Sequence, residues 1–105
     1  PGSMPYGALK RLEVARALAC EPKLLLLDEP AAGLGASEKA DLTGLIEKLS
    51  GAGLTIVLVE HDMKLVMSIS QHILVINYGQ KLAEGQPTEV RRNPDVVAAY
   101  LGSAV

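Results

Sequence analysis

Between Pro22 and Pro30 the chain reads Lys23-Leu24-Leu25-Leu26-Leu27-Asp28-Glu29, four leucines in a row running into two adjacent carboxylates. A short apolar run closed by proline on both sides has the pattern of a fully buried strand, as in a parallel sheet covered on both faces. The acids then fall at the carboxyl end of the strand, and open α/β sheets bind ligands along that edge. One carboxylate there can orient a magnesium ion while its neighbour takes a proton from an attacking water. For these residues alone, a solvated acidic turn stopped by Pro30 is the plainer alternative.

A second strand of the same kind ends 31 residues further on. Leu54-Thr55-Ile56-Val57-Leu58-Val59 is rich in β-branched residues and runs into Glu60-His61-Asp62. If the two strands are parallel, His61 falls at the same sheet edge as Glu29, where an imidazole can hydrogen-bond a phosphate oxygen or a water. Between the strands the spacing predicts a helix from a Ser37 cap to Ser50. Leu42, Leu45, Ile46 and Leu49 share one face of it, and Gly51 is its stop. Upstream, residues 8–20 predict a helix ended by Pro22, with apolar positions most of the way round. Tyr6-Gly7 precedes it, and a glycine there leaves the first amides and the positive end of the helix dipole open to an anion. Downstream, Asp62 caps a helix to about Ser70 and Ile73 to Ile76 forms a third strand. Asn77-Tyr78-Gly79 then turns into a short strand, Gln80 to Glu84. Pro87 and Asn93-Pro94-Asp95 open two small helices, the last through Leu101. Strand, helix, strand, helix, strand implies a layered α/β fold with parallel pairing.

Composition sets the outer bounds. The 105 residues amount to one domain, and with three Tyr, no Phe and no Trp its core must be aliphatic. That scarcity argues against base-stacking nucleic-acid modules, and ten basic against twelve acidic residues leave no basic footprint for nucleic acid or anionic lipid. The single cysteine, Cys20, excludes an intramolecular disulfide, suits a reducing cytosol and reads as a small buried hydrophobe. No apolar run approaches the ~20 residues of a membrane span. Pro1-Gly2-Ser3 reads as a cloning scar ahead of Met4. Met63 and Met67 read as core, His72 as a strand-edge residue and Arg91-Arg92 as a solvated helix face.

Taken together, the segments resemble the C-terminal half of an ABC-transporter ATPase subunit, over residues 4 to 102. Met4 to Leu18 is similar to the signature loop and its helix, Leu24 to Pro30 to Walker B, Ala31 to Ala36 to the D-loop, and His61 to the switch histidine. Asp28-Glu29-Pro30-Ala31-Ala32-Gly33-Leu34, Glu60 to Met67 and Asn93 to Gly102 resemble the ATPase subunits of branched-chain amino-acid importers. The resemblance implies the C-terminal portion of a P-loop NTPase domain, mostly parallel sheet with flanking helices, at 4–105. Asp28 would hold Mg²⁺ through water, Glu29 would polarise the attacking water, and His61 would contact the γ-phosphate. Tyr6 and Gly7 would cap the γ-phosphate of ATP held by a second ATPase subunit. The parent would hydrolyse ATP at the inner face of the plasma membrane, attached to integral permease subunits and cytoplasmic itself.

Departures from the pattern are plain. Pro5 stands at the signature Ser or Ala, Leu9 at a Gln, and Gly35 at the D-loop Asp or Asn. No G-x-x-x-x-G-K-[ST] phosphate loop occurs in the 105 residues, so the chain is expected to be inactive alone. An alternative is a non-catalytic interaction module that keeps the fold; a repair or translation ATPase of the same superfamily fits the Asn93–Gly102 tail less well. In the family, as the resemblance implies, the strand leading into the phosphate loop lies between 54–59 and 73–76. Without it both edges are apolar and unprotected, so the chain is expected either to close that gap or to associate, as a strand-paired or domain-swapped homodimer.

Overall fold

In the computed structural model of the chain the described residues are 5–102. The scar expected at 1–3, and Met4, lie outside them. Contacts divide the chain into two units, Pro1–Glu60 and His61–Val105.

The first unit contains helix α1 (Tyr6–Leu18), strand β1 (Leu24–Asp28), helix α2 (Ala36–Gly51) and strand β2 (Thr55–Val59). β1 and β2 are parallel and in register from Leu24 opposite Thr55 to Asp28 opposite Val59. Side chains alternate across a strand, so each strand offers one row to a covering layer and one away from it. Leu25, Leu42 and Ile46 are buried, as are Pro30 and Ala31 just beyond β1. The opposite row is uncovered: Leu26 is 68% exposed and Val59 56%, with Leu24 and Val57 about half exposed. The expectation of strands buried on both faces is therefore corrected. The unit's described residues leave that second face open.

Boundaries also move: α1 runs Tyr6–Leu18 rather than 8–20, so Tyr6 and Gly7 lie inside the helix and Pro5 is its N-cap. α2 begins at Ala36 with Gly35 as its N-cap, not at a Ser37 cap, because Glu38 accepts a hydrogen bond from the Gly35 N–H at 3.1 Å. Gly51 is the last helical residue, and the reversal falls on Gly53, whose φ of 102° suits a residue without a side chain. In α1 only Gly7 is buried. Cys20, just past the helix, is exposed and not a core residue.

In the second unit Asp62 caps α3 (Met63–Ile69), accepting from the Leu65 N–H at 3.2 Å. Strands β3 (Ile73–Asn77) and β4 (Gln80–Gly85) form an antiparallel hairpin. Tyr78 and Gly79 both have positive φ, 50° and 73°, as a two-residue type I′ turn requires. Parallel pairing thus holds for β1 and β2, while β3 pairs antiparallel with β4; the described strands form two separate two-stranded sheets. Helices α4 (Pro87–Arg92) and α5 (Pro94–Val96) follow, and α5 runs into a π-helical turn, Val97–Leu101. The core is Val66, Ile73, Val75, Val90 and Val96, with Met63, Met67, Leu82 and Ala83 packed against it. Both methionines are core filler, as their spacing implies. Tyr100 Oη donates to the Ile76 carbonyl, tying the last turn to β3. Among the described residues, no helix is long and apolar enough to cross a membrane.

Candidate active site

The parallel register brings the carboxyl ends of β1 and β2 level, with Asp28 beside Val59. The ladder runs one residue further, where the Glu29 N–H donates to the Val59 carbonyl at 2.7 Å. There the backbone leaves the strand abruptly. Glu29 has φ 46°, the left-handed region, which costs a residue with a β-carbon about 1–2 kcal/mol. Such a conformation persists only where neighbouring bonds fix it. The Ala32 N–H closes back onto the Glu29 carbonyl at 3.1 Å, and the buried Ala31 N–H donates to Glu60 Oε2 at 2.9 Å. Asp28 and Glu29 are themselves exposed, adjacent carboxylates at a strand end. That pair fits a magnesium ion, which keeps most of its waters and takes only one or two protein carboxylates.

A second cluster joins α1 to the turn after β1. Gly33, at φ 76°, lies under the Tyr6 ring: a β-carbon there would fall 3.0 Å from the ring edge. The Lys10 ammonium sits 5.4 Å from the centre of that ring. A β-carbon on Gly7 would fall 1.8 Å from Glu38 Oε2, so the carboxylate occupies the place of a Gly7 side chain. Gly7, Asp28 and Glu38 all line one cleft of about 230 Å³, together with Leu25 and Leu42.

Residues 1–32 match the family model described as ABC transporter. Residues 80–105 match the one described as Branched-chain amino acid ATP-binding cassette transporter. By both matches the chain is similar to parts of ABC-transporter ATPases. It is 57% identical, over 98% of its length, to the high-affinity branched-chain amino acid transport ATP-binding protein BraF of Pseudomonas aeruginosa, and covers 41% of that protein. It is 52% identical, over 97% of its length, to the LivG protein of the same description from Escherichia coli K12, covering 40% of it. Its fold is similar to that of MJ1267, an ATP-binding cassette of an ABC transporter in its ADP conformation. There the TM-score is 0.85 at 32% identity, over 97% of this chain and 42% of that one. The chain thus spans about two fifths of the length of the relatives it matches.

Of the residues singled out in the sequence, Asp28 and Glu29 meet at the strand edge, and Tyr6 and Gly7 open α1. His61 belongs to the second unit, exposed, one residue ahead of the Asp62 cap. Two carboxylates were not anticipated, Glu60 and Glu38. Glu60 carried one usable signal, its place directly after an apolar strand. Glu38 carried another, an acid at the third position of a helix start, where it can reach back to the capping N–H.

Proposed function

We propose that the chain forms the C-terminal part of an ATP-hydrolysing subunit of an ABC importer for branched-chain amino acids. The observation carrying this reading is the pair Asp28 and Glu29 at the level strand ends, with Glu29 held in a left-handed backbone conformation. In this reading Glu29 takes the proton of the attacking water and Asp28 holds Mg²⁺ through water. Bound there, the ion neutralises charge on the phosphates; phosphoryl transfer depends on such positioning more than on covalent chemistry. His61 contacts the γ-phosphate. Tyr6 and Gly7, as signature residues, face ATP held by a second ATPase subunit. The matched C-terminal segment 80–105 and the identities to BraF and LivG support the cargo class and attachment to integral permease subunits at the inner membrane face. Exposed Leu26 and Val59 leave an apolar sheet face that supports association of the isolated chain; the strand-paired or swapped form of that association is expected from the sequence alone.

The test compares ATP hydrolysis by three proteins: the 105-residue chain, the longer subunit carrying it, and that subunit with Glu29→Gln. We expect no turnover from the chain, turnover from the subunit, and a loss of at least about 10²-fold in the variant with ATP binding kept. Near-normal hydrolysis by the variant would show that the base lies elsewhere.

A further inference from the structure

We infer that Glu60 is a positioning residue for Glu29, a role that rests on the ATPase reading above. Glu60 follows β2 directly and lies 29 residues from Ala31, yet its Oε2 accepts the Ala31 N–H at 2.9 Å. Ala31 is only 3% exposed, so this donor has lost water and needs a protein acceptor. A carboxylate is the stronger choice, because hydrogen bonds to an ionised acceptor are shorter and more stable than neutral ones.

The position of that bond gives it its consequence. Glu29 is fastened ahead by its own N–H on Val59 and behind by its carbonyl, which accepts from Ala32. Pro30 has no N–H, so Ala31 offers the first amide after Glu29 that can anchor the chain to β2's end. With Glu60 holding it, the turn 29–32 is fixed to both strands and the left-handed φ of Glu29 is sustained. Without it, the Glu29 N–H still holds the Val59 carbonyl, but the turn loses its tie beyond Pro30, and Glu29 is freer to relax to an extended or right-handed conformation. Its carboxylate would then leave the strand edge beside Asp28. Glu60 therefore touches neither water nor nucleotide in this scheme; it acts through the backbone of the residue that does.

Conservative variants separate this role from a chemical one. Gln keeps the length and an acceptor oxygen but cannot take a proton, Asp keeps the charge but is one methylene short, and Ala keeps neither. Amide exchange in the 105-residue chain should show Ala31 and Ala32 exchanging at least about tenfold faster in Glu60→Ala and Glu60→Asp, and Glu60→Gln close to the native chain. In the longer subunit, Glu60→Ala should lower kcat about 10–100-fold with KM for ATP within about twofold, and Glu60→Gln should restore most of it. If Glu60→Ala does not fold, the Asp and Gln pair gives the same contrast. Unchanged protection of Ala31 in Glu60→Asp, or Glu60→Gln as inactive as Glu60→Ala, overturns the assignment. A native subunit that does not hydrolyse ATP overturns the ATPase reading instead, and is told apart because the exchange contrast still stands.

Discussion

Replacing Gly7 with alanine puts a β-carbon 1.8 Å from Glu38 Oε2, 2.9 Å from its Cδ and 3.5 Å from its Cγ. The first two distances cannot persist, while the third is ordinary contact, so the carboxylate swings away and the backbone stays. Leaving that place takes Glu38 from the Gly35 N–H, which it holds at 3.1 Å at the start of α2. A bond of this kind contributes about 0.5–1.5 kcal/mol. Against this, alanine is better than glycine in a helix by about 0.5–1 kcal/mol. The two terms nearly cancel, so Gly7→Ala alone should change stability by less than about 1 kcal/mol. In a Glu38→Ala background the obstacle and the bond are both gone, and the same substitution should stabilise by about 0.5–1 kcal/mol. The double-mutant cycle therefore predicts a coupling near 1 kcal/mol, above the roughly 0.3–0.5 kcal/mol within which independent sites add. Urea midpoints of the four chains at one m-value measure it. Equal effects of Gly7→Ala in both backgrounds would refute the contact between α1 and Glu38.

Tyr100→Phe removes the hydroxyl that donates to the Ile76 carbonyl and should cost about 1 kcal/mol, with faster amide exchange in 73–77; an unchanged midpoint would show the bond contributes nothing. The His72 imidazole first, then the Lys81 ammonium, hold the Glu84 carboxyl below its ordinary value of 4.5. A lowered native value means stability complete above the ordinary range and lost as pH falls through the native one. Glu84→Gln should therefore flatten the acid limb of hairpin unfolding, and a Glu84 side-chain NMR titration centred at the ordinary value would contradict this.

Legibility followed the range of the forces involved. The turns of α2 and the ends of β1 and β2 were readable because local pattern sets them: leucines at helical spacing, and apolar runs closed by proline or acids. The turn at Tyr78-Gly79 was readable from turn chemistry alone, though not the direction in which its strands pair. Ser37 misled as a cap because a serine there competes with Glu38, and only the three-dimensional start of α2 shows which group reaches the first free amide. Burial of the strands was overread for a different reason. Leu24, Leu26, Val57 and Val59 are apolar as a doubly covered sheet demands, but cover on the second face is a property of packing partners, and the unit's described residues do not supply it. Antiparallel pairing of β3 was equally invisible to a pattern that alternates strand and helix, since pairing direction is decided between strands.

The three acids at the ends of β1 and β2 show how one edge can hold like charges for different purposes. Asp28 is the last paired residue of its strand, Glu29 leaves the ladder at φ 46°, and Glu60 continues past β2 to accept the Ala31 amide. Asp28 and Glu29 stay exposed, where water and a magnesium ion can reach them, whereas Glu60 is half-buried and bonded to backbone. Sequence order alone would rank them equally, as acids following buried strands. What separates them is the backbone: a strand end that stays extended offers its side chain to the ladder's edge, and one that turns left-handed needs a brace. In this chain the brace comes from the neighbouring strand, so the register of β1 on β2 sets the geometry of the proposed base as directly as the residues of β1 do.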